Sequence, residues 1–149
     1  METRMPARRA GPDDAGLITA FQNAAYMPNR EILGVEPLPL LVDYAAIIRD
    51  MEAWLFEKDK VAAGVLILKS EPGQLLIWSV ATHPDHQGTG LGRTMMDFAD
   101  RRALELDLPQ IRLYTGSRLV ERILWYERLG YKVERLEDLP DRQITHMMK

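Results

Sequence analysis

Thr82-His83-Pro84-Asp85-His86-Gln87-Gly88-Thr89-Gly90-Leu91-Gly92-Arg93 is the stretch from which the rest of the chain can be read. It follows Leu75-Leu76-Ile77-Trp78-Ser79-Val80-Ala81, an apolar run of strand length, and precedes a helical pattern that begins near Leu91. Gly90 and Gly92 fall at or inside the first helical turn, where each glycine costs about 1 kcal/mol relative to alanine. Arg93 sets a positive charge at the positive end of the helix dipole. Local rules are broken together at functional sites, and an anion held by bare backbone N–H groups resolves both conflicts. The glycines alone also fit a tight strand-to-helix turn without a ligand. No Gly-Lys-Ser/Thr follows, so this is not a Walker A loop. The G-x-G-x-G spacing, with no acidic residue ending a second strand about twenty positions on, is not the dinucleotide fingerprint either.

Upstream of this loop, Gly11-Pro12-Asp13-Asp14 reads as a turn that caps a helix over 15–25. Residues 26–39 are rich in loop formers, and 40–49 return to a helical stripe of Leu41, Tyr44, Ala45 and Ile48. Strands are expected over 53–57 and 61–69, joined by a hairpin turn at Lys58-Asp59-Lys60. In the second of them Val65 and Ile67 alternate with Leu66 and Leu68, so both faces should be buried. Glu71-Pro72-Gly73 turns the chain into the strand at 75–82. Downstream, a helix over 91–106 carries Met95, Ala99, Ala103 and Leu106 on one face. A strand at 111–115, a helix over 119–129 closed by Gly130, and strands at 131–135 and 143–148 complete the order β-α-α-β-β-β-α-β-α-β-β. This is an α+β pattern: a mostly antiparallel sheet flanked by helices, with one right-handed parallel β-α-β unit at the glycine loop.

The 149 residues suffice for a single domain with a real core. A net charge of −3 argues against a nucleic-acid footprint. The absence of cysteine excludes disulfides, thiolate metal sites and a cysteine nucleophile together, and fits a cytoplasmic protein. With His83, His86 and His146 the only histidines and no helical pair among them, no metal site is expected. The N-terminal residues 1–9 lack the apolar core of a signal peptide, and no run approaches the roughly 18 apolar residues of a membrane span.

Thr82-His83-Pro84 followed by Gln87-Gly88-Thr89-Gly90-Leu91-Gly92 resembles the acyl-CoA-binding motif of the GNAT family of N-acetyltransferases. Trp125-Tyr126-Glu127-Arg128-Leu129-Gly130-Tyr131 is similar to the Tyr-x-x-x-Gly-Phe/Tyr end of that family's fourth helix, and Arg8-Arg9-Ala10-Gly11-Pro12-Asp13-Asp14 to its first strand and turn. The motifs occur in order and at the family's spacing along nearly the whole chain. The resemblance implies the GNAT-like acyl-CoA N-acyltransferase fold and acetyl-CoA as co-substrate. The amides of Gln87, Gly88, Thr89, Gly90, Leu91 and Gly92 would hold its pyrophosphate, with Arg93 adding a charged contact. Val80, Ala81 and Thr82 would end a strand that splays from the strand at 111–115, and the pantetheine arm would fill the gap as an added strand does. An acetyl group would pass by direct attack to a primary amine of a small molecule or a protein. A non-catalytic acyl-CoA-binding sensor or regulatory module is the alternative, and an unrelated nucleotide-phosphate binder a third reading. Dimerisation is common in the family, so a homodimer is compatible with the resemblance.

Tyr126 is the candidate general acid for the leaving thiolate; the competing role is a helix tyrosine that only packs. A backbone N–H near Val80 is the candidate oxyanion donor. Two departures from the family stand out. Ile77-Trp78-Ser79 carries no carboxylate where many members have a glutamate base, and Leu119-Val120-Glu121-Arg122 lacks the asparagine that contacts CoA. Trp78 either shapes an apolar acceptor pocket or is core. Arg122 is expected as a solvated helix residue, with substitution for the asparagine as the other option. The acceptor should dock over residues 26–44 and the hairpin 134–144, where Glu31, Glu36, Asp43, Glu137 and Asp138 offer negative charge to a cationic amine.

Overall fold

A computed structural model describes residues 7–149; residues 1–6, part of the stretch read against a signal peptide, lie outside the described residues. Seven strands form one sheet in the order β1-β2-β3-β4-β5-β7-β6. They are β1 (Ala7–Arg9), β2 (Glu52–Lys58), β3 (Val61–Glu71), β4 (Gln74–Thr82), β5 (Gln110–Gly116), β6 (Lys132–Asp138) and β7 (Gln143–Met148). The helices are α1 (Ala15–Tyr26), α2 (Asn29–Leu33), α3 (Tyr44–Asp50), α4 (Leu91–Glu105) and α5 (Val120–Arg128). Every neighbouring pair is antiparallel except β4 and β5, which are parallel and joined through α4.

Sheet alternation splits the core in two. Val65 and Ile67 pack with Ile18, Phe21, Ile47 and Leu55 under α1 and α3. Leu66 and Leu68 pack with Leu75, Met95, Met96 and Ala99 under α4. All four β3 residues are fully buried, each contributing about 1.5–3 kcal/mol of transfer free energy. This is why the strand shows no polar face. The hairpin from β2 to β3 turns on Asp59 and Lys60, both left-handed (φ 52° and 67°) without a glycine.

Three boundaries differ from expectation. α2 forms inside the loop-rich segment. The stretch 40–43 is not helical: Leu38–Leu40 make a 3₁₀ turn, and α3 starts at Tyr44 because the Asp43 carboxylate accepts the Ala45 N–H (3.0 Å). β6 runs on to Asp138, since as an edge strand it pairs with β7 without needing an apolar face.

Candidate active site

The site lies where β4 and β5 part. Their parallel pairing runs from Gln74–Gln110 to Ile77–Leu113 and stops. Beyond it, β4 stays with β3 and β5 stays with β7. A bulge drives the divergence: Leu68 faces Ile77 and Ile67 faces Ser79, leaving Trp78 as the extra residue. α1 braces the bulge. Gln22 Nε2 donates to Ser79 Oγ (2.9 Å), and Ser79 Oγ lies 2.8 Å from Tyr26 Oη. Ile18, Gln22 and Tyr26 stand at i, i+4 and i+8, on the face of α1 that meets the sheet, and all three are buried.

Val80 presents its carbonyl to the opening, where it accepts from the Arg122 guanidinium of α5 and, at 3.4 Å, from Tyr26 Oη. N–H and C=O of one residue leave an extended strand on the same side, so the Val80 N–H faces the opening too. Arg122 Nε donates to Tyr126 Oη (3.1 Å), and the guanidinium lies 5.9 Å and 5.7 Å from the ring centres of Tyr26 and Tyr126. Arg122 is therefore half-buried and turned inward rather than solvated. It shares the face of Tyr126 because the two are four residues apart. Tyr126 is 3% exposed. Burial pushes its phenol above the ordinary tyrosine value, with Arg122 opposing but not cancelling that shift. Since its oxygen accepts from Arg122, the phenol keeps its own proton to give.

Past Thr82, the chain turns through Pro84–His86 into α4. Gly88 and Gly90 are left-handed (φ +79° and +83°), a conformation that makes a side chain costly there. Gly92 has a different reason: a Cβ on it would sit 3.2 Å from the Trp125 ring. The Gln87 N–H faces Pro84 O at 3.5 Å, and the first helical bond is Thr94 N–H to Gly90 O. Among the described residues, the amides of Gly88 to Arg93 between them donate to no protein acceptor. Arg93 is exposed and 3.5 Å from Asp97. Ala81, Thr82, Gln87, Gly88, Gly90, Leu91, Gly92 and Arg93 line a cleft of about 350 Å³ that also touches Tyr26, Val80, Arg122 and Trp125. Thr89 stands apart, its hydroxyl donating to His86 O (2.6 Å). A cradle of undirected N–H donors at the positive end of a 15-residue helix fits a diphosphate.

A second, narrower cavity of about 70 Å³ fills the opening between β4 and β5. It shares Tyr26, Val80 and Arg122 with the cleft, so the two meet at the bulged strand. Trp78, Tyr126 and residues of α2, the 37–39 turn and the last hairpin wall it. Trp78 thus lines the cavity while its ring meets Tyr44 edge-on (6.1 Å). The acidic residues expected here are elsewhere. Glu36 pairs with Arg30 (2.7 Å), Glu137 with His146 (2.8 Å) and Asp138 with Gln143 (3.0 Å); Asp43 caps α3, and Glu31 is exposed. None lines the cavity. Sequence reading gave no role to Gln22, Trp125 or Arg142; a glutamine on the apolar stripe of α1 was the one signal available. Among the described residues no cluster of His, Asp or Glu could hold a metal ion, and no helix is long and apolar enough to cross a membrane.

Comparison with known proteins points the same way as the geometry. A family model described as "Acetyltransferase (GNAT) domain" matches residues 49–133. GCN5-related N-acetyltransferase 2, chloroplastic, of Arabidopsis thaliana is 33% identical over 58 residues, which are 39% of this chain and 21% of that protein. The chain spans about a fifth of the length of the first curated relatives it matches. Among solved structures, PaiA N-acetyltransferase from Thermoplasma acidophilum in complex with coenzyme A aligns with a TM-score of 0.76 at 14% identity, over 97% of this chain and 98% of that one. A Bacillus subtilis acetyltransferase in complex with CoA aligns at 0.70 and 16% identity, over 97% of each chain. At such identities the likeness is one of fold.

Proposed function

The chain belongs to the GNAT acetyltransferase family, and from that premise we propose that it is a cytoplasmic single-domain N-acetyltransferase. It would transfer the acetyl group of acetyl-CoA to a primary amine by direct attack in a ternary complex. One observation carries the reading: the cleft of free amides runs into the opening between β4 and β5 at Val80 and Arg122. A diphosphate on the loop and a thioester beside Tyr126 would then belong to one extended molecule. The CoA complexes of the two structural neighbours support the same cofactor.

In this reaction Gly88 to Gly92 grip the diphosphate, with Arg93 and the edge from Val80 to Thr82 completing the cofactor surface. The Val80 N–H meets the carbonyl oxygen as negative charge develops on it. The amine nitrogen bonds to the carbonyl carbon, the carbon–sulfur bond breaks, Tyr126 gives its proton to the departing sulfur, and the proton shed by the acylated nitrogen returns through water to the Tyr126 oxygen. The raised Tyr126 value keeps that proton available throughout the neutral range. No serine or cysteine intermediate is needed. A panel of CoA, acetyl-CoA, NAD and ATP in thermal denaturation tests the binding. A ligand at a hundred times its Kd adds about 2.7 kcal/mol, a rise of several degrees at this size. Stabilisation by NAD or ATP without any by the CoA compounds would reject the proposal. Binding of acetyl-CoA with no amine turned over would leave the sensor reading instead.

A further inference from the structure

The charge inside the narrow cavity names a substrate class, an inference that rests on the acetyltransferase reading. Arg122 and Arg142 are the only charged residues that line it among the described residues. Arg122 is already engaged with Val80 O and Tyr126 Oη. Arg142, at the start of the last strand's approach, is different. Its side chain is 6% exposed although it sits in a surface hairpin. Asp141 takes two of its nitrogens, Nε at 3.1 Å and Nη2 at 3.0 Å, and the third, Nη1, makes no hydrogen bond among the described residues. Asp141 is itself 55% exposed, so water screens the compensation it offers. A guanidinium this buried is stable when an anion completes it. The remaining walls, including Leu33, Leu38, Trp78 and Ile144, offer no carboxylate to an ammonium group.

We infer that the acceptor is an amine that also carries an anionic oxygen group, a carboxylate or a phosphate, and that Arg142 receives that group. Arg142 then orients the acceptor so that its nitrogen points toward Val80 and Tyr126. This reverses the expectation of an acidic site that draws in a cation.

The test pairs each charged amine with its neutral counterpart. The twenty common amino acids are assayed beside their carboxamides, and phosphoethanolamine beside ethanolamine, with acetyl-CoA and thiol release as the readout. At least a tenfold kcat/KM preference for the acid over the amide in one or more pairs is expected for the carboxylate source, and the same preference in the phosphoethanolamine pair for the phosphate source. Arg142→Gln should bring the ratio within about twofold of one, mainly through KM, while Arg142→Lys keeps part of it. Asp141→Asn, a change at an exposed side chain, should raise the preference by removing the carboxylate that competes for Arg142. Turnover of uncharged or purely cationic amines only, no turnover of any anionic amine, or a preference untouched by Arg142→Gln and Asp141→Asn each overturns the inference. Stabilisation of the protein by acetyl-CoA in the same samples separates that failure from a failure of the acetyltransferase reading, which would remove both.

Discussion

Replacing Tyr126 by phenylalanine isolates one hydroxyl at the centre of the site. In the folded protein that oxygen accepts from Arg122 Nε at 3.1 Å and is buried. A hydrogen bond to a charged group contributes about 1.5–3 kcal/mol, so Tyr126→Phe should lower Tm by roughly 5–10 °C at this chain length. Arg122 keeps its bond to Val80 O, so the variant should fold. The catalytic effect is separate and larger: loss of a general acid costs about 10²–10⁴ in rate, or roughly 3–5 kcal/mol of barrier. The assay is thiol release at saturating acetyl-CoA, well below the variant's Tm, beside calorimetric titration with CoA. A hundredfold or greater fall in kcat is expected, with the CoA Kd unchanged within about threefold. A folded variant that binds CoA and keeps kcat within threefold of the parent would refute the assignment. The alkaline limb gives a second check. Burial holds the Tyr126 phenol above the ordinary value of 10.0 despite Arg122, so kcat should not fall as pH rises from 8 to 10. A limb in that interval, absent from Tyr126→Phe, would mean that the phenol ionises where its surroundings forbid it.

Gly90→Ala puts a Cβ on a left-handed residue (φ +83°) in open space, so its effect is conformational rather than steric. It should weaken CoA binding about tenfold by tilting the loop amides, a loss of about 1.4 kcal/mol in titration calorimetry; an unchanged Kd would show that those amides hold nothing. Glu52 is clamped by Arg102 through two bonds of 2.9 Å, with Trp54 Nε1 donating as well (3.0 Å). Burial pushes the Glu52 carboxyl up, but the bonds from Arg102 and Trp54 outweigh it and hold it below 4.5. A depressed carboxylate stabilises the fold above its ordinary value and loses that contribution as pH falls through its folded value. Glu52→Gln should therefore cost about 1–2 kcal/mol at pH 7 and steadily less below pH 4.5, as differential scanning calorimetry would show; an equal cost at pH 7 and pH 3 would count against the ion pair.

Much of this molecule is legible from local rules. The unbroken apolar run of β3 meant two buried faces, and the glycine loop marked a turn with free amides, although the glycines alone fitted a turn without a ligand as well. What stayed hidden was set by tertiary contacts. α2 has five residues between Pro28 and Gly34, too short for a periodic stripe. β6 exposes nearly every side chain, so no alternation marked its end. Arg122 was within reach, since four residues before a buried tyrosine on one helix means the same face. Arg142 was not: it follows Leu139-Pro140-Asp141, which reads as an ordinary polar turn, and only the folding of that hairpin over the cavity buries its side chain.

The missing glutamate and the two arginines belong to a single electrostatic problem. An alkylammonium with a pKa near 10.4 must lose its proton before it can attack, and β4 offers no carboxylate to take it. An amino acid's own carboxylate holds more of the ammonium form than its carboxamide would, because an adjacent negative charge favours that form. Apolar walls and the Arg122 guanidinium push the other way, since burial and like charge each disfavour the ammonium. In the proposed complex, pairing the acceptor's carboxylate with Arg142 neutralises the charge that stabilised its ammonium, while Arg122 stands on the side where the nitrogen must react. The proton can then pass to water on binding, with no protein base at the bulge. Trp78, the residue the bulge leaves unpaired, lines the cavity and would add to its apolar wall. Recognition of the anion and activation of the amine would be one event, and a site built this way would not need a glutamate on β4.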